Sequence, residues 1–463
     1  MHTFISALVI VAISVCLASP VSSQVVRPSP LSAALQQQAG AVALELTLES
    51  AIARGLTHHL AALVADAGVK AAAGRRLSAL SALLPQVNAQ GSAVRQKINL
   101  AAFGFRAPGF PDVIGPFNVY DGRLHVSQPI VDLAALNRSR GETVALDAAR
   151  YDERDARRFV ALVVTNLYLE SLASASRIEA GRAELATATA LYTLAEDLRT
   201  AGLVPRIDVL RAQVQRETAE QRQIALENAL EKSKLALAQA IGLTPLTQPI
   251  VLADRLAFVP AATITFEGAL GRAQVERADL RAAESRVAER EAKLRAEREW
   301  RLPTLHVEAN YGSIGATVGL MRPTYSAAAA VSVPLFDGQA GQARVLGADA
   351  ELQRARAEAD DLRGRVAYDV RAALLDLQAA ERQVQVASHT VELATEQQTQ
   401  AEDRFKAGVT TNLELVQAQA ALAAANDAYI AGVSAHNFAK VALARAIGIP
   451  EQTFPQFIAG ATP

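Results

Sequence analysis

Few residues in this chain stand at spacings that support bond chemistry. The pair His58-His59 comes nearest to a metal motif, but no Cys or acid lies at ligand spacing. It reads as a surface pair on a helical segment. The only cysteine, Cys16, has no partner for a disulfide or a thiol site. Ile13-Ser14-Val15-Cys16 has the outline of a lipidation box, with Val15 large where a small residue is wanted. No Gly-rich phosphate loop, nucleophile elbow or HExxH stretch is present. The expectation is therefore no enzyme, no cofactor and no metal. Charge runs such as Glu289 to Arg298 read as solvated helix faces with i,i+4 pairing. What remains is two carboxylates, Asp208 and Glu414, each one turn inside a helical pattern that restarts after a break. An acid in that position complements the helix dipole.

The breaks themselves come as a pair. Leu198-Arg199-Thr200-Ala201-Gly202-Leu203-Val204-Pro205-Arg206-Ile207-Asp208 and Arg404-Phe405-Lys406-Ala407-Gly408-Val409-Thr410-Thr411-Asn412-Leu413-Glu414 are built alike. Gly202 and Gly408 each end a long helical pattern, where glycine supplies a left-handed cap at little cost. A bare Gly turn also lets another backbone approach closely.

These turns belong to a duplication. Thr47-Leu48-Glu49-Ser50-Ala51 matches Thr265-Phe266-Glu267-Gly268-Ala269 at an offset of 218 (265 − 47). Ala240-Ile241-Gly242 matches Ala446-Ile447-Gly448 at 206 (448 − 242). Ser127-Gln128-Pro129-Ile130-Val131-Asp132 matches Ser332-Val333-Pro334-Leu335-Phe336-Asp337 at 205 (337 − 132). The first half thus carries 13 extra residues (218 − 205), expected in an aperiodic loop around Phe103 to Phe117. The expected organisation is a signal peptide at 1–23, a first repeat at 24–242 and a linker at 243–264. A second repeat at 265–448 and a tail at 449–463 follow.

Composition bounds the class. With 46 basic and 47 acidic residues the net charge is -1, which leaves nucleic-acid binding without a footprint. Phe4 to Ala18 is an apolar run of signal-peptide length, and Val21-Ser22-Ser23 is an acceptable cleavage site, although the n-region lacks Lys and Arg. No later run of 18 apolar residues is present, so no helix is expected to span a membrane.

Each repeat contains two alternating strand patterns and three helical ones. The strands centre on Val87 to Ala93, Arg123 to Ser127, Leu305 to Tyr311 and Tyr325 to Val333. Alternation of this kind fits membrane barrel strands or soluble hairpins equally, and four strands are too few to close a membrane barrel. Leu133 to Ala201 and Ala340 to Lys406 are proline-free and predict helices about 100 Å long. Val366, Val370, Ala373, Leu377, Ala380, Val384, Ala387, Val391 and Ala394 form a coiled-coil seam. Pro205 to Ile241, Phe266 to Arg301, Thr411 to Ile447 and Leu48 to Leu84 predict helices half as long. Two of these stacked end to end match one long helix, with Gly242 to Ile264 and the tail at mid-length.

Several motifs then point to one family. Arg277-Ala278-Asp279-Leu280-Arg281-Ala282-Ala283-Glu284-Ser285-Arg286-Val287 precedes Leu302-Pro303-Thr304-Leu305 and a strand. Arg404-Phe405, Gly408, Glu414-Leu415 and Ala418-Gln419 mark one turn; Gly202-Leu203-Val204 and Ile207-Asp208-Val209 mark the other. With the box Ser332 to Asp337, the chain resembles the outer membrane efflux protein (TolC-like) family over nearly its whole mature length.

That resemblance implies a mainly α fold with a β-barrel contribution. Duplicated coiled-coil hairpins and four strands per chain would assemble as a trimeric α/β barrel. It implies an outer-membrane exit duct of a tripartite efflux or type I secretion system, with a periplasmic helical tunnel. The implied partners are two more copies of the chain, a periplasmic adaptor (membrane fusion) protein, an inner-membrane RND or ABC-type transporter, and outer-membrane lipid. Gly202, Leu203, Val204, Gly408 and Val409 would form the adaptor-docking tip. Asp208 and Glu414 would be aperture carboxylates, and Arg206 an alternative latch partner. The chain departs from the family pattern at Thr410 and Gln417, where some members carry a gating Arg and a second acid, and His58-His59 replaces a frequent Asn-Pro. The alternative reading is an exported structural coiled-coil protein without a pore.

Overall fold

The computed structural model describes residues 44–104, 108–109, 111–244, 246, 248–407, 409–410 and 412–460. The expected signal peptide with Cys16, most of the lead-in, and Gly408 lie outside the described residues. The order is β1 (Leu44–Leu46), α1 (Leu48–His58), α2 (Leu60–Ser81), β2 (Gln86–Asn99), β3 (Val113–Val131), α3 (Leu133–Thr200) and α4 (Arg206–Ala240). Then come β4 (Ile250–Leu252), α5 (Phe266–Glu276), α6 (Ala278–Arg298), β5 (Thr304–Gly315), β6 (Arg322–Ser332), α7 (Ala340–Lys406), α8 (Asn412–Ile447) and α9 (Phe454–Ile458).

The duplicated motifs act as helix starts and stops. Thr47 caps α1 by accepting from the Ser50 amide, and Thr265 caps α5 by accepting from Gly268. The aspartates after the paired prolines start the long helices. Asp132 accepts from Ala135 N at 2.7 Å, and Asp337 accepts from Gly341 N at 2.5 Å.

Two expected helices are each broken once. His59 (φ -70, ψ 131) separates α1 from α2, and Arg277 (φ -64, ψ 118) separates α5 from α6. His59 is therefore a cap rather than a mid-helix surface residue; its Nδ1 accepts from Ala61 N at 3.2 Å. Arg277 is buried and donates to Asp279 at 3.0 and 2.6 Å and to Asp369 at 2.9 Å. Burial pushes the Asp279 carboxyl up, but its bonds to Arg277 prevail and hold it below the ordinary value. Each break receives a helix end from the other side. Gly242 (φ +69) presses on His58, and a Cβ at Gly448 (φ +78) would lie 2.9 Å from Arg277 N.

The long strands form one antiparallel sheet in the order β2-β3-β5-β6. The extra residues of the first half do not all form a loop. β3 begins at Val113 and pairs Asn99 with Val113, so much of the insertion lengthens the first hairpin. Pro129 likewise does not end its strand: β3 runs to Val131, with a register shift between Pro129 and Val131. One sheet face carries exposed Val87, Leu124, Val126, Tyr311, Tyr325 and Val331; the other is mostly polar.

Below the sheet, α3 (68 residues) and α7 (67 residues) run about 100 Å by helix rise. The seam on α7 is buried at Val366, Val370, Ala373, Leu377, Ala380, Val384 and Ala394 and half-buried at Ala387 and Val391. One stretch of α3 reaches a mean hydropathy of 1.4, enough by length and composition to cross a membrane, and 56% of it is buried inside the chain. That apolarity is used in the main core, where Val160, Val164 and Tyr168 pack with Leu237, Ile447 and Phe454.

Two further strands appear among the described residues beyond the four expected. β1, at the end of what reads as a polar lead-in, pairs in parallel with β4. They sit beside the main core with α9, whose Phe454 and Phe457 are buried in it. A second core of Leu191, Ala195, Val209, Phe405, Leu415 and Ala418 joins the helix ends that carry the two turns.

Candidate functional site

The first turn closes by a Schellman arrangement. Gly202 has φ +77, its N–H donates to Arg199 O at 2.9 Å, and Leu203 N donates to Leu198 O at 2.9 Å. At the second turn Val409 N donates to Arg404 O at 3.0 Å, the same bond 206 residues later (409 − 203). Gly408 lies between, outside the described residues. Leu203 and Val409 are each 71% exposed, and Val204 is half-buried. The second core brings the helices leading into both turns to one end of the molecule. That end thus presents two apolar side chains left largely open by the described residues.

The carboxylates have separate surroundings. Asp208 is buried, and Arg211 lies 3.3 Å from its Oδ1. Its carbonyl oxygen accepts from Asn412 Nδ2 at 2.9 Å, which ties the start of α4 to the start of α8. Asn412 is fully buried. Glu414 faces its own turn: Arg404 donates to it at 2.9 Å, and the Thr410 hydroxyl donates to its second oxygen. Arg206 is exposed at the start of α4 and makes no ion pair among the described residues. Further along the rod, Arg222 on α4 bridges Glu184 on α3 and Asp427 on α8.

The sequence does not announce Asn412, Arg404 or Arg222 as functional. Arg404 sits inside a motif and is legible once its neighbour Glu414 is considered. The partner of Asn412, and the Asp427 partner of Arg222, lie more than 200 residues away in sequence, at separations of 204 and 205. Only the duplication, which brings equivalent helices side by side, hints at them.

The sheet supplies the second region of interest. Asp121 holds Arg123 through its Nε at 2.7 Å and through a second guanidinium nitrogen. Arg123 reaches Asn310 at 3.4 Å, and Asn310 donates to Ser326 at 2.5 Å, making a polar belt across β3, β5 and β6. β2 and β6 are each paired on one side only.

Comparison with known proteins gives concordant results. The family model for outer membrane efflux protein matches residues 52–243 and 269–449. A curated relative, the pyoverdine export outer membrane protein OpmQ of Pseudomonas putida, is 28% identical over 417 residues, covering 86% of this chain and 84% of its own. The outer-membrane channel OprN superposes with a TM-score of 0.76 at 22% identity, covering 88% of this chain and 90% of that one. VceC, an outer membrane protein of Vibrio cholerae, gives 0.75 at 20% identity, with 87% and 96% covered.

Proposed function

The chain belongs to the outer membrane efflux protein family, and from that premise we propose how its parts work as an exit duct. Efflux through the outer membrane is its function, and its fold is that of the TolC-like channels. Its family and its structural neighbours are channels rather than enzymes. Channels of this fold are trimeric and work with adaptors and inner-membrane pumps in general.

The observation that carries the finer reading is the open sheet. Its two edge strands lack a partner on one side, and one of its faces exposes Val, Leu and Tyr side chains. Exposed edges and apolar faces of this kind are a liability in water. Three copies of the four strands would pair β6 of one chain with β2 of the next and close a twelve-stranded barrel. The apolar face then meets lipid, and the rods continue the barrel through the periplasm. Repeats at 24–242 and 265–448, with the linker 243–264 and tail 449–463 at mid-rod, supply two coiled-coil hairpins per chain. Removal of residues 1–23 after export leaves a mature chain starting at Gln24, which N-terminal sequencing of the purified protein reads directly.

At the far end, Gly202, Leu203, Val204, Gly408 and Val409 form the adaptor-docking tip, and the pump behind the adaptor is of RND or ABC type. Support comes from the exposure of Leu203 and Val409 on rigidly capped turns. Asp208 and Glu414 line the aperture just inside; Asn412 and the Arg404–Glu414 pair take the latch role in place of a gating Arg at position 410. Arg206, exposed at the same level, is available to a neighbouring chain. The double substitution Leu203→Asp and Val409→Asp changes two largely exposed side chains outside both cores. It should leave trimers intact and abolish site-specific crosslinking to the adaptor; undiminished crosslinking would refute the tip assignment.

A further inference from the structure

Resting on the trimeric reading, we propose that α7 of one copy zips along α2 and α4 of the next, and that this seam ends about 20 Å short of the turns. Neighbouring chains are thereby free to part at the tip while the trimer stays closed above it.

The chain has two long edges. Sheet order places β2 and β6 outermost; α2 runs into β2, and α7 leaves β6. α4 continues the α2 edge downward, because Gly242 after its end meets His58 at the end of α1. Within the chain α7 packs on α6 and α8 through its buried seam. Joining β6 to β2 of the next copy therefore brings the other side of α7 against α2 and, lower down, α4.

Both edges carry apolar stripes that the described residues leave open. On α4 and the turn before it, Leu203, Ile207, Leu210, Val214, Ile224 and Leu235 are all exposed. They fill two heptad columns: 203, 210 and 224 differ by 7 and 14, and 207, 214 and 235 by 7 and 21. On α7, exposed Leu375, Val386 and Leu393 lie on the side away from its buried seam. Higher up, that side continues with exposed Leu346, Ala350, Ala357 and Gly364, and α2 answers with Leu60, Val64, Ala71 and Gly74. A Cβ at Gly74 or Gly364 would meet nothing within 4 Å. Small residues at these points let two helices approach closely.

The heights agree. α4 leaves one turn, α7 enters the other, and the second core joins both turns at one end. A threefold axis along the rod carries each height unchanged into the next chain. Ile224 and Val386 both stand 22 residues from their turn glycines (224 − 202, 408 − 386). Leu235 and Leu375 both stand 33 away (235 − 202, 408 − 375). Arg382, which interrupts the α7 stripe, is level with polar Asn228 at 26 (408 − 382, 228 − 202).

Nearer the turns the match fails. Ile207 and Leu210 keep the α4 stripe apolar, whereas the α7 stripe becomes Gln397, Gln400 and Arg404. Burying amides and a guanidinium against leucine and isoleucine strips them of water without return. The stretch from Val214 to Gly202, 12 residues (214 − 202) and about 18 Å by helix rise, therefore holds weakly between copies.

The test is disulfide trapping in a Cys16→Ser parent, since Cys16 is the chain's only cysteine. Oxidised protein with Ile224→Cys and Val386→Cys should run as covalent trimers and keep the conductance of its reduced form in planar bilayers. Leu210→Cys with Gln400→Cys, level at 8 residues (210 − 202, 408 − 400), should link copies and cost most of the conductance until dithiothreitol is added. Leu235→Cys with Leu375→Cys gives the upper reading again if the first pair does not assemble. No covalent trimer from either upper pair, in protein that amine crosslinking shows to be trimeric, would overturn the proposal. So would upper cysteines that link to another protein instead, or the same conductance response to the upper and lower locks. A wild type that is not trimeric would contradict the reading on which the proposal rests.

Discussion

At the residue scale, the mid-rod holds the least ordinary chemistry. On α8, Lys440 is fully buried and donates to Ile458 O at 2.9 Å, and Asn437 donates to Ala257 O at 3.3 Å. His436 is also fully buried, with its ring 4.8 Å from Phe258 and neither nitrogen bonded among the described residues. These groups fasten the tail and the linker to the rod. Burial, reinforced by Lys440, pushes His436 down to about 4; burial lowers Lys440 to about 8, partly opposed by Glu381. A histidine with a depressed folded value binds fewer protons in the native state, so its penalty grows as pH falls from about 6.5 to 4. Acidification through that window should cost the mid-rod up to about 3 kcal/mol. Lys440 acts in the same direction, with stability rising as pH climbs from about 8 towards 10.5. Amide protection in α9, taken relative to intrinsic exchange at each pH, should therefore fall between pH 6.5 and 4, and His436→Leu should flatten that dependence. An unchanged acid response in the variant would show that His436 is not its source. None of this cluster is legible in sequence, because its partners come from the linker and the tail.

At the element scale, the helix ends were the most legible feature. Proline-free runs predict the long helices to within a residue, since only Gly and Pro interrupt them. The breaks at His59 and Arg277 are hidden because apolar residues continue across them without Gly or Pro. His59 is also absent from the usual N-cap residues, and Arg277 makes no side-chain cap at all. β1 and β4 are three residues each, too short for alternation to show. Strand β3 is longer than its sequence pattern suggests for a different reason: Gly115 and Pro116 read as loop residues yet lie inside it. Once the breaks are known, Gly242 and Gly448 acquire a purpose beyond ending helices, since each must fit against a break with positive φ. Gly448→Ala should destabilise the mid-rod by about 2–4 kcal/mol through left-handed strain and overpacking against Arg277. Thermal unfolding of the detergent-solubilised protein would measure this; a melting temperature within error of wild type would contradict the packing described.

At the scale of the whole molecule, the polar and apolar sheet faces, the unpaired edges and the long rod belong to one design. A single chain leaves them unsatisfied at the top and presents bare apolar turns at the bottom. Sequence alternation alone fits soluble hairpins and barrel strands equally, because the pattern records faces but not what covers them. The open sheet and the family membership favour the barrel, in which three copies resolve every edge. The most direct measurement is single-channel recording on protein extracted from the outer-membrane fraction, with its oligomeric state fixed by crosslinking. The account predicts a trimer that produces discrete conductance steps in planar bilayers. A water-soluble, non-conducting periplasmic protein would contradict it and leave only the structural coiled-coil reading.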